Sequence, residues 1–159
     1  MWQSLFSFVS ILAMAAWLML GFLPRNALIK SAIMYLGVAI LCLTYTVLFV
    51  AVTSGSIDPH LAMGGGAVKP GFGNIEEVRA IFLSDGGVVI GWTHYLAFDL
   101  FTGMWIAADA DNKGFNRWAM LPVLFATFMA GPIGLFAWLV IREGRARLLG
   151  PARSRISIS

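Results

Sequence analysis

The sequence predicts an all-α membrane protein with four transmembrane helices in a bundle and one short amphipathic helix at the interface. Hydrophobic residues occupy 59% of the 159 positions and charged residues only 12%, which is more apolar surface than a water-soluble domain of this size can bury. The apolar residues form long runs separated by Pro, Gly and charge, and about 20 of them suffice to cross the hydrocarbon core. One membrane-embedded domain, residues 1–159, is expected at this length.

The first two predicted spans lie near the N-terminus. The first span covers residues 4–23; from Leu5 to Leu23 it is apolar except for two serines, and Pro24 follows where the chain must leave the bilayer. The tripeptide Ala13-Met14-Ala15 resembles a signal-peptide cleavage site, but no positive segment precedes the run and the apolar residues continue beyond it, so a retained helix is favoured. Residues 31–53 form the second span, in which Tyr45 is a candidate for lining a ligand pocket.

A short amphipathic helix is predicted inside the one long loop, residues 54–87. Asn74 followed by Glu77 matches a capping box, and apolar residues recur after it at helical spacing. The pattern predicts a helix over residues 75–83 that lies in the plane of the membrane interface.

The same loop contains glycine-rich stretches, Gly64-Gly65-Gly66 and Gly71-Phe72-Gly73. They lack the flanking residues of phosphate-binding loops, so we interpret them as flexible linker. His60 is interpreted as a solvated loop histidine, with ligand contact as the alternative.

Two further spans are predicted, over residues 87–108 and 118–141. The connection between them is short, so the two helices should run antiparallel. The polar residues at this connection are interpreted as a solvated turn; they are Asp109, Asp111, Lys113 and Arg117.

The last predicted span has two features of packing. Ala126, Ala130 and Gly134 recur every four residues, which lets another backbone approach closely. Pro132 removes one helical hydrogen bond and predicts a kink near the helix midpoint. The kink is expected to open a small cavity facing the polar residues of the third span; an ordinary membrane-helix proline is the alternative.

A basic tail, residues 142–159, contributes most of the net charge of +3. This charge indicates topology and lipid contact rather than nucleic-acid binding. With four spans and positive charge inside, both termini are expected in the cytoplasm of a bacterial-type inner membrane, although Arg25 and Lys30 then lie on the opposite face. The arginines of the tail are Arg142, Arg145, Arg147, Arg153 and Arg155.

The third span carries the candidate catalytic residues, His94 and Asp99. An ionisable group at mid-span costs at least ~2.5 kcal/mol, so it is expected to face the bundle interior or a watery cavity and to mark function. Apolar surroundings favour the neutral forms, in which an imidazole accepts a proton and a carboxylic acid donates one. Candidates for packing an apolar ligand are Trp92, Tyr95, Phe98, Thr102 and Trp105, together with Tyr45.

Two other interpretations of this span stay open. In the structural one, Asp99 bonds to Tyr95, Thr102 or a neighbouring helix, and His94 bonds to a carbonyl. In the other, His94 and a methionine ligate haem. We expect no metal, because the five-residue separation of His94 and Asp99 turns a helix by about 140° and the other spans offer only Cys42 as a ligand at depth.

Two stretches of the chain resemble a known family. The first is Gly91-Trp92-Thr93-His94-Tyr95-Leu96-Ala97-Phe98-Asp99-Leu100-Phe101-Thr102-Gly103-Met104-Trp105-Ile106, and the second is Gly131-Pro132-Ile133-Gly134-Leu135 followed by Arg142. Both are similar to segments of the abscisic-acid-deficient-4-type membrane proteins, the neoxanthin synthase-like family. The four-helix layout and the short amphipathic helix resemble that family as well.

The resemblance implies a role in xanthophyll metabolism, either conversion of an epoxycarotenoid such as violaxanthin to an allene or formation of cis isomers. The first reaction removes a proton beside the ring and assists the departing epoxide oxygen. It transfers no electron, so it needs no redox cofactor. The resemblance thus implies an isomerase or lyase with His94 as base, Asp99 as acid or orienting group, and Trp92, Tyr95 and Trp105 packing the substrate.

Two further function classes remain as alternatives. One is a non-catalytic carotenoid- or retinoid-binding or assembly protein, and the other is a haem or quinone protein. The expected partners are a hydrophobic polyene or isoprenoid ligand and membrane lipid. The sequence leaves open whether the first two spans or a second copy of the chain close the site, as in a homo-oligomer.

Overall fold

The computed structural model describes residues 1–57 and 68–148, and every regular element in these residues is a helix. The all-α class is therefore confirmed. The interpretations of His60, of Gly64-Gly65-Gly66 and of the tail beyond residue 148 lie outside the described residues. The helices are α1 (Trp2–Phe22), α2 (Ala27–Thr53), α3 (Ile75–Ile81), α4 (Asp85–Asn112), α5 (Leu121–Met129) and α6 (Gly131–Leu148).

The chain divides into two compact units, Met1–Phe98 and Asp99–Ser159. The boundary falls inside α4, which contributes its first half to one unit and its second half to the other. Among the described residues, α1 and α2 are long and apolar enough to cross a membrane. The four predicted crossings therefore stay a prediction. The third predicted span, residues 87–108, lies within the first 24 residues of α4. His94 and Asp99 make this stretch less apolar than α1 and α2.

The first unit begins with a helical hairpin. Asn26 starts α2 as an N-cap, because its side chain accepts a hydrogen bond from the N–H of Ile29 at 2.9 Å. Within α2 the segment Ile33–Ala39 is π-helical. A π turn holds an extra residue, so it changes the direction in which all later side chains of the helix project.

The core of the first unit joins the start of α1, the end of α2 and the start of α4. Leu48 and Val52 of α2 pack with Val89 and Ile90 of α4. The half-buried side chains around this cluster come from α1, α2 and the segment after α2; they are Trp2, Leu5, Phe6, Tyr45 and Ile57. These contacts fix the α2 and α4 segments that carry the candidate site.

The predicted cap of α3 is confirmed. The Asn74 side chain accepts a hydrogen bond from the N–H of Glu77 at 2.9 Å and donates one to its carboxylate at 2.8 Å. That carboxylate also accepts the N–H of Gly73 at 2.8 Å, and a Cβ at Gly71 would collide with it. The interpretation of Gly71-Phe72-Gly73 as flexible linker is therefore wrong, because these residues wrap around Glu77.

Both ends of α4 have local signals. At its start the Ser84 hydroxyl accepts a hydrogen bond from the N–H of Gly87 at 3.1 Å, as an N-cap residue does. At its end Gly114 adopts a φ of 68°, a left-handed conformation that suits glycine and stops a helix. The helix is thus longer than predicted and includes Asp109.

The last predicted span is interrupted in the second unit. Ala130 is extended, with φ −159° and ψ 94°, and it separates α5 from α6. The prediction of one kinked helix over residues 118–141 is wrong. The interruption places Pro132 in the first turn of a new helix, where no N–H is needed, and so avoids the clash with the carbonyl of Phe128.

The chain reverses direction at this interruption. A Cβ at Gly134 would collide with the backbone of Thr127, so the first turn of α6 lies against the last turn of α5. Gly134, which was predicted to let a neighbouring helix approach closely, therefore lets α5 approach α6. The Thr127 hydroxyl is itself buried and donates to the carbonyl of Val123 at 2.8 Å.

Within this unit α6 runs beside the second half of α4 and in the same direction. The N–H of Gly131 donates to Asp99, whereas Trp138 and Arg142 both reach Asp109. The ten residues from Asp99 to Asp109 and the eleven from Gly131 to Arg142 each advance about 15 Å in a helix. The antiparallel arrangement expected for the last two predicted spans is not found for α6.

Candidate functional site

Four rings in the first unit form what we call the aromatic surface: Phe49, Tyr45, His94 and Phe98. The ring centroids of Phe49 and Tyr45 lie 5.8 Å apart and are nearly parallel, at 19°. Those of Tyr45 and His94 lie 5.6 Å apart, and those of His94 and Phe98 4.7 Å. Helix α2 supplies the first two rings and α4 the other two. The result is a continuous row of rings across two helices.

His94 lies on the exposed side of α4, not in the interior as its cost in hydrocarbon predicted. Thr93 and Ala97 occupy the buried face of the helix in this unit. Each residue turns a helix by about 100°, so His94 is carried away from that face. The rings of Tyr45 and Phe98, rather than a polar interior, lie beside the imidazole.

Two other predicted ligand-packing residues lie near the aromatic surface. Tyr95 meets His94 edge-on at 6.4 Å between ring centroids and is 60% exposed. Trp92 instead joins α4 to α1: its indole N–H donates to the Ser10 hydroxyl at 3.1 Å, and its ring stacks on Phe6 at 5.6 Å. Trp92 therefore positions α4, while Tyr95 remains available to a ligand.

Asp99 is a hydrogen-bond acceptor in the second unit. Its Oδ2 accepts the N–H of Gly131, the first residue of α6, at 3.3 Å. A Cβ at position 131 would collide with this carboxylate, so only glycine allows the approach. The partial positive charge of a helix N-terminus attracts a carboxylate, and Asp99 occupies that position for α6.

The remaining predicted site residues also lie in the second unit. The guanidinium of Arg142 lies over the Trp105 ring, 5.7 Å from its centroid. Thr102 is half-buried on α4. The described contacts therefore bring His94, Tyr45, Phe98 and Tyr95 together within the first unit, and Asp99 and Trp105 have partners from α6 within the second.

Asp109 is not part of a solvated turn. Its side chain is only 16% exposed and accepts the indole N–H of Trp138 at 3.0 Å. It also pairs with Arg142 at 3.3 Å and with Lys113, one helical turn on. Trp138 itself is fully buried and meets the ring of Phe115 edge-on at 5.0 Å. Asp109 thus ties α4 to α6.

Two of these residues were missed in the sequence. Phe49 could have been found, because it lies four residues after Tyr45 and a helix brings such residues together. The link from Asp109 to α6 carried no local signal, since Trp138 and Arg142 are distant in sequence. For metals, the described residues contain no group of three His, Cys, Asp or Glu side chains placed to share an ion.

Comparison with known proteins agrees with the resemblance of the sequence. No curated protein and no solved structure matches the chain. A family model, ABA DEFICIENT 4-like, matches residues 4–138, a range that includes the aromatic surface, Asp99, Gly131 and Trp138. The match covers well over half of the sequence. The chain therefore belongs to the ABA DEFICIENT 4-like family.

Proposed function

We propose that this protein binds a carotenoid or a related polyene along the aromatic surface and converts it by acid/base chemistry at His94. Family membership supports a carotenoid-related role. The observation that carries the proposal is the continuous row of rings from Phe49 to Phe98. A long conjugated chain is apolar and flat, so it packs well against a row of aromatic side chains. His94 lies within the row, and an imidazole is the commonest side chain that accepts a proton in acid/base catalysis.

The proposed reaction is an isomerisation of an epoxycarotenoid end group. The imidazole of His94 removes a proton from the polyene carbon beside the ring. The released electron pair forms the second double bond of an allene while one C–O bond of the epoxide breaks. The oxygen gains a proton and becomes a hydroxyl group, so substrate and product are isomers. A cis/trans isomerisation of the polyene on the same surface is the other form that this chemistry can take.

The experiment is expression of the protein in carotenoid-producing cells, followed by purification and chromatography of the extracted pigment. We expect bound pigment and a new isomer with the wild type, and bound but unchanged pigment with His94→Phe, which keeps a ring in the row and removes the base. Tyr35→Phe is the matched control, because Tyr35 lies on α2 outside the aromatic surface. A new isomer in equal amount with His94→Phe would contradict the catalytic role.

A second function, non-catalytic pigment binding, is favoured by the exposure of His94, since an open surface can hold a ligand without enclosing a reaction. In that case the wild type carries pigment that is chemically unchanged. Absence of any pigment from the wild type, even when cells accumulate violaxanthin, would contradict both functions.

We further propose that the chain is a multi-pass membrane protein in which α1, α2 and α4 cross the bilayer. The most apolar stretches of α1 and α2 have only 33% and 28% of their residues buried. Their apolar outer faces therefore suit lipid rather than water. Apolar side chains around α3 are also exposed, which suits the proposed interfacial position; they are Phe72, Ile75, Phe82 and Leu83.

In this proposal α5 and α6 enter the membrane as a re-entrant hairpin rather than crossing it. The nine residues of α5 span about 14 Å, less than half of the ~30 Å hydrocarbon core. The chain reverses at Ala130, and α6 returns beside α4 toward Asp109. Non-helical backbone is tolerated at such depth only where its polar groups are satisfied by protein. Asp99 accepts the N–H of Gly131, Pro132 has none, and Ile133 donates to Ala130 at 2.9 Å.

Charge distribution supports three crossings over four. Three crossings place the α1–α2 connection, with Arg25 and Lys30, on the same side as the end of α4 and the basic tail. The loop of residues 54–84, with three carboxylates and two cations, then lies on the opposite side. Positive charge thus gathers on one face, as expected for the cytoplasm. In this proposal Gln3 lies outside and Gly144 inside, whereas four crossings would place both termini in the cytoplasm.

Cysteine labelling of intact cells tests this layout. In a Cys42→Ser background, Gln3→Cys should react with a membrane-impermeant maleimide in intact cells, and Gly144→Cys only after the membrane is opened. A Cβ at Gly144 has nothing within 4 Å, so this substitution should be tolerated. Four crossings predict that both positions react under the same condition. Ala27→Cys and Ser56→Cys serve as markers of the two faces and should behave like Gly144→Cys and Gln3→Cys, respectively.

A further inference from the structure

We propose that the phenol of Tyr45, not Asp99, donates the proton that completes the reaction at His94. The inference rests on the proposed function, since it assigns the acid for that reaction. It uses two observations, one from each compact unit: Asp99 has a structural hydrogen bond, and Tyr45 is held beside the imidazole.

Asp99 is poorly placed to give up a proton. Its carboxylate accepts the N–H of Gly131, and the N-terminus of α6 favours negative charge at this position. Gly131 has no Cβ, and the carboxylate of Asp99 occupies the space that a Cβ would take. Because Gly131 directly follows Ala130, this contact is made at the point where the chain reverses between α5 and α6. Asp99 is therefore a positioning residue for α6.

Tyr45 is held next to His94 from two sides. Its ring lies 5.6 Å from the imidazole centroid and stacks on Phe49. It also packs against the buried cluster that includes Leu48 and Val89, which fixes its position relative to both α2 and α4. Tyr95, the other tyrosine in contact with His94, is 60% exposed and lies outside that cluster. Tyr45 is thus the less exposed of the two tyrosines whose rings contact His94.

The two residues can complete the isomerisation without a cofactor. As His94 takes the proton from carbon and the C–O bond of the epoxide breaks, the Tyr45 phenol donates its proton to the oxygen. The imidazolium then returns a proton to the tyrosinate, which restores both side chains. No electron leaves or enters the pair, and tyrosine is an established type of general acid. Loss of one such acid typically lowers the rate by about 10²–10⁴-fold.

The test measures conversion of violaxanthin by the purified protein in detergent, with pigment binding recorded from the absorption spectrum. Tyr45→Phe keeps the ring and its stacking but removes the proton; we expect unchanged binding and a rate at least 100-fold lower. Asp99→Asn keeps an oxygen that can accept the Gly131 N–H, so its rate should fall less than tenfold. Tyr35→Phe is the control for loss of a phenol elsewhere on α2.

The outcomes separate this inference from the proposed function. If Tyr45→Phe retains wild-type turnover, or if Asp99→Asn binds pigment normally yet loses turnover 100-fold, the assignment of Tyr45 is overturned and the function stands. If the wild type binds pigment and does not convert it, the catalytic function itself fails. Asp99→Ala gives an independent measurement: it should lower the thermal unfolding midpoint more than Asp99→Asn, and equal midpoints would overturn the positioning role.

Discussion

The two halves of α4 use their titratable side chains in opposite ways. In the first unit His94 is exposed, surrounded by rings and not tied to a charged partner among the described contacts. In the second unit Asp99 and Asp109 accept hydrogen bonds from α6. A polar group whose hydrogen-bond partners are supplied by the protein serves packing, whereas a polar group displayed on an apolar surface is available to a ligand. Burial and partners, rather than residue type, therefore separate structural from functional candidates here.

The largest stability effect should come from Trp138 in the second unit. Trp138→Ala removes a fully buried ring and its hydrogen bond to Asp109. Such truncations cost about 3–5 kcal/mol in the free energy of unfolding. Phe98→Ala, at a ring that is 58% exposed in the first unit, should cost far less. Denaturation in detergent micelles measures both, and equal losses would remove the contrast between the units.

Gly134→Ala should be the next most damaging change. The added Cβ meets the backbone of Thr127, which cannot rotate away, so α5 and α6 must separate. Overpacking of this kind costs about 1–3 kcal/mol. Gly144→Ala on the same helix meets nothing and should be neutral or slightly stabilising, because alanine favours helix over glycine. Unfolding midpoints of the two variants make the comparison, and a stable Gly134→Ala would contradict the tight reversal.

Asp109→Ala and His94→Ala compare the two kinds of titratable residue directly. Removal of Asp109 leaves the buried indole N–H of Trp138 without its acceptor and should cost about 1–3 kcal/mol. His94→Ala should change the free energy of unfolding by less than about 0.5 kcal/mol, as exposed substitutions do, while it abolishes pigment conversion. If His94→Ala were strongly destabilised, His94 would serve to stabilise the fold, as Asp109 does, and the contrast between the two residues would be wrong.

The most local loss of stability is expected at the cap of α3. Asn74→Ala removes the acceptor for the N–H of Glu77 and should cost about 1 kcal/mol, whereas Asn74→Asp keeps an acceptor and should cost little. Hydrogen exchange at the amides of residues 75–81 measures the local loss. Faster exchange confined to α3, with α4 unchanged, would fit a helix stabilised by its own cap.

Local features of the fold were predictable from sequence, and distant ones were not. The Asn74–Glu77 cap lies within one helical turn, so its residues alone specify it. The face of α4 that carries His94 depends on which side packs in the first unit. The partnership of Asp109 with Trp138 requires the chain reversal at Ala130. Pro132 indicated that the helix is irregular at this point, but it did not specify how, because a proline is compatible with a kink or with the first turn of a new helix.

The π-helical segment Ile33–Ala39 ties the aromatic surface to an irregularity elsewhere in α2. Its wider turns accommodate roughly one residue more than α-helical turns would, equivalent to about 100° of angular phase. Tyr45 and Phe49 follow this segment, so the direction in which their rings point around the axis of α2 depends on it. If the segment wound as an α-helix with the same number of residues, both rings would turn by about 100° around the axis of α2 and away from His94, whereas deletion of a single residue within it would let α2 wind uniformly and leave both rings where they are. The wide turns of this segment therefore keep Tyr45 and Phe49 on the side of α2 that forms the aromatic surface.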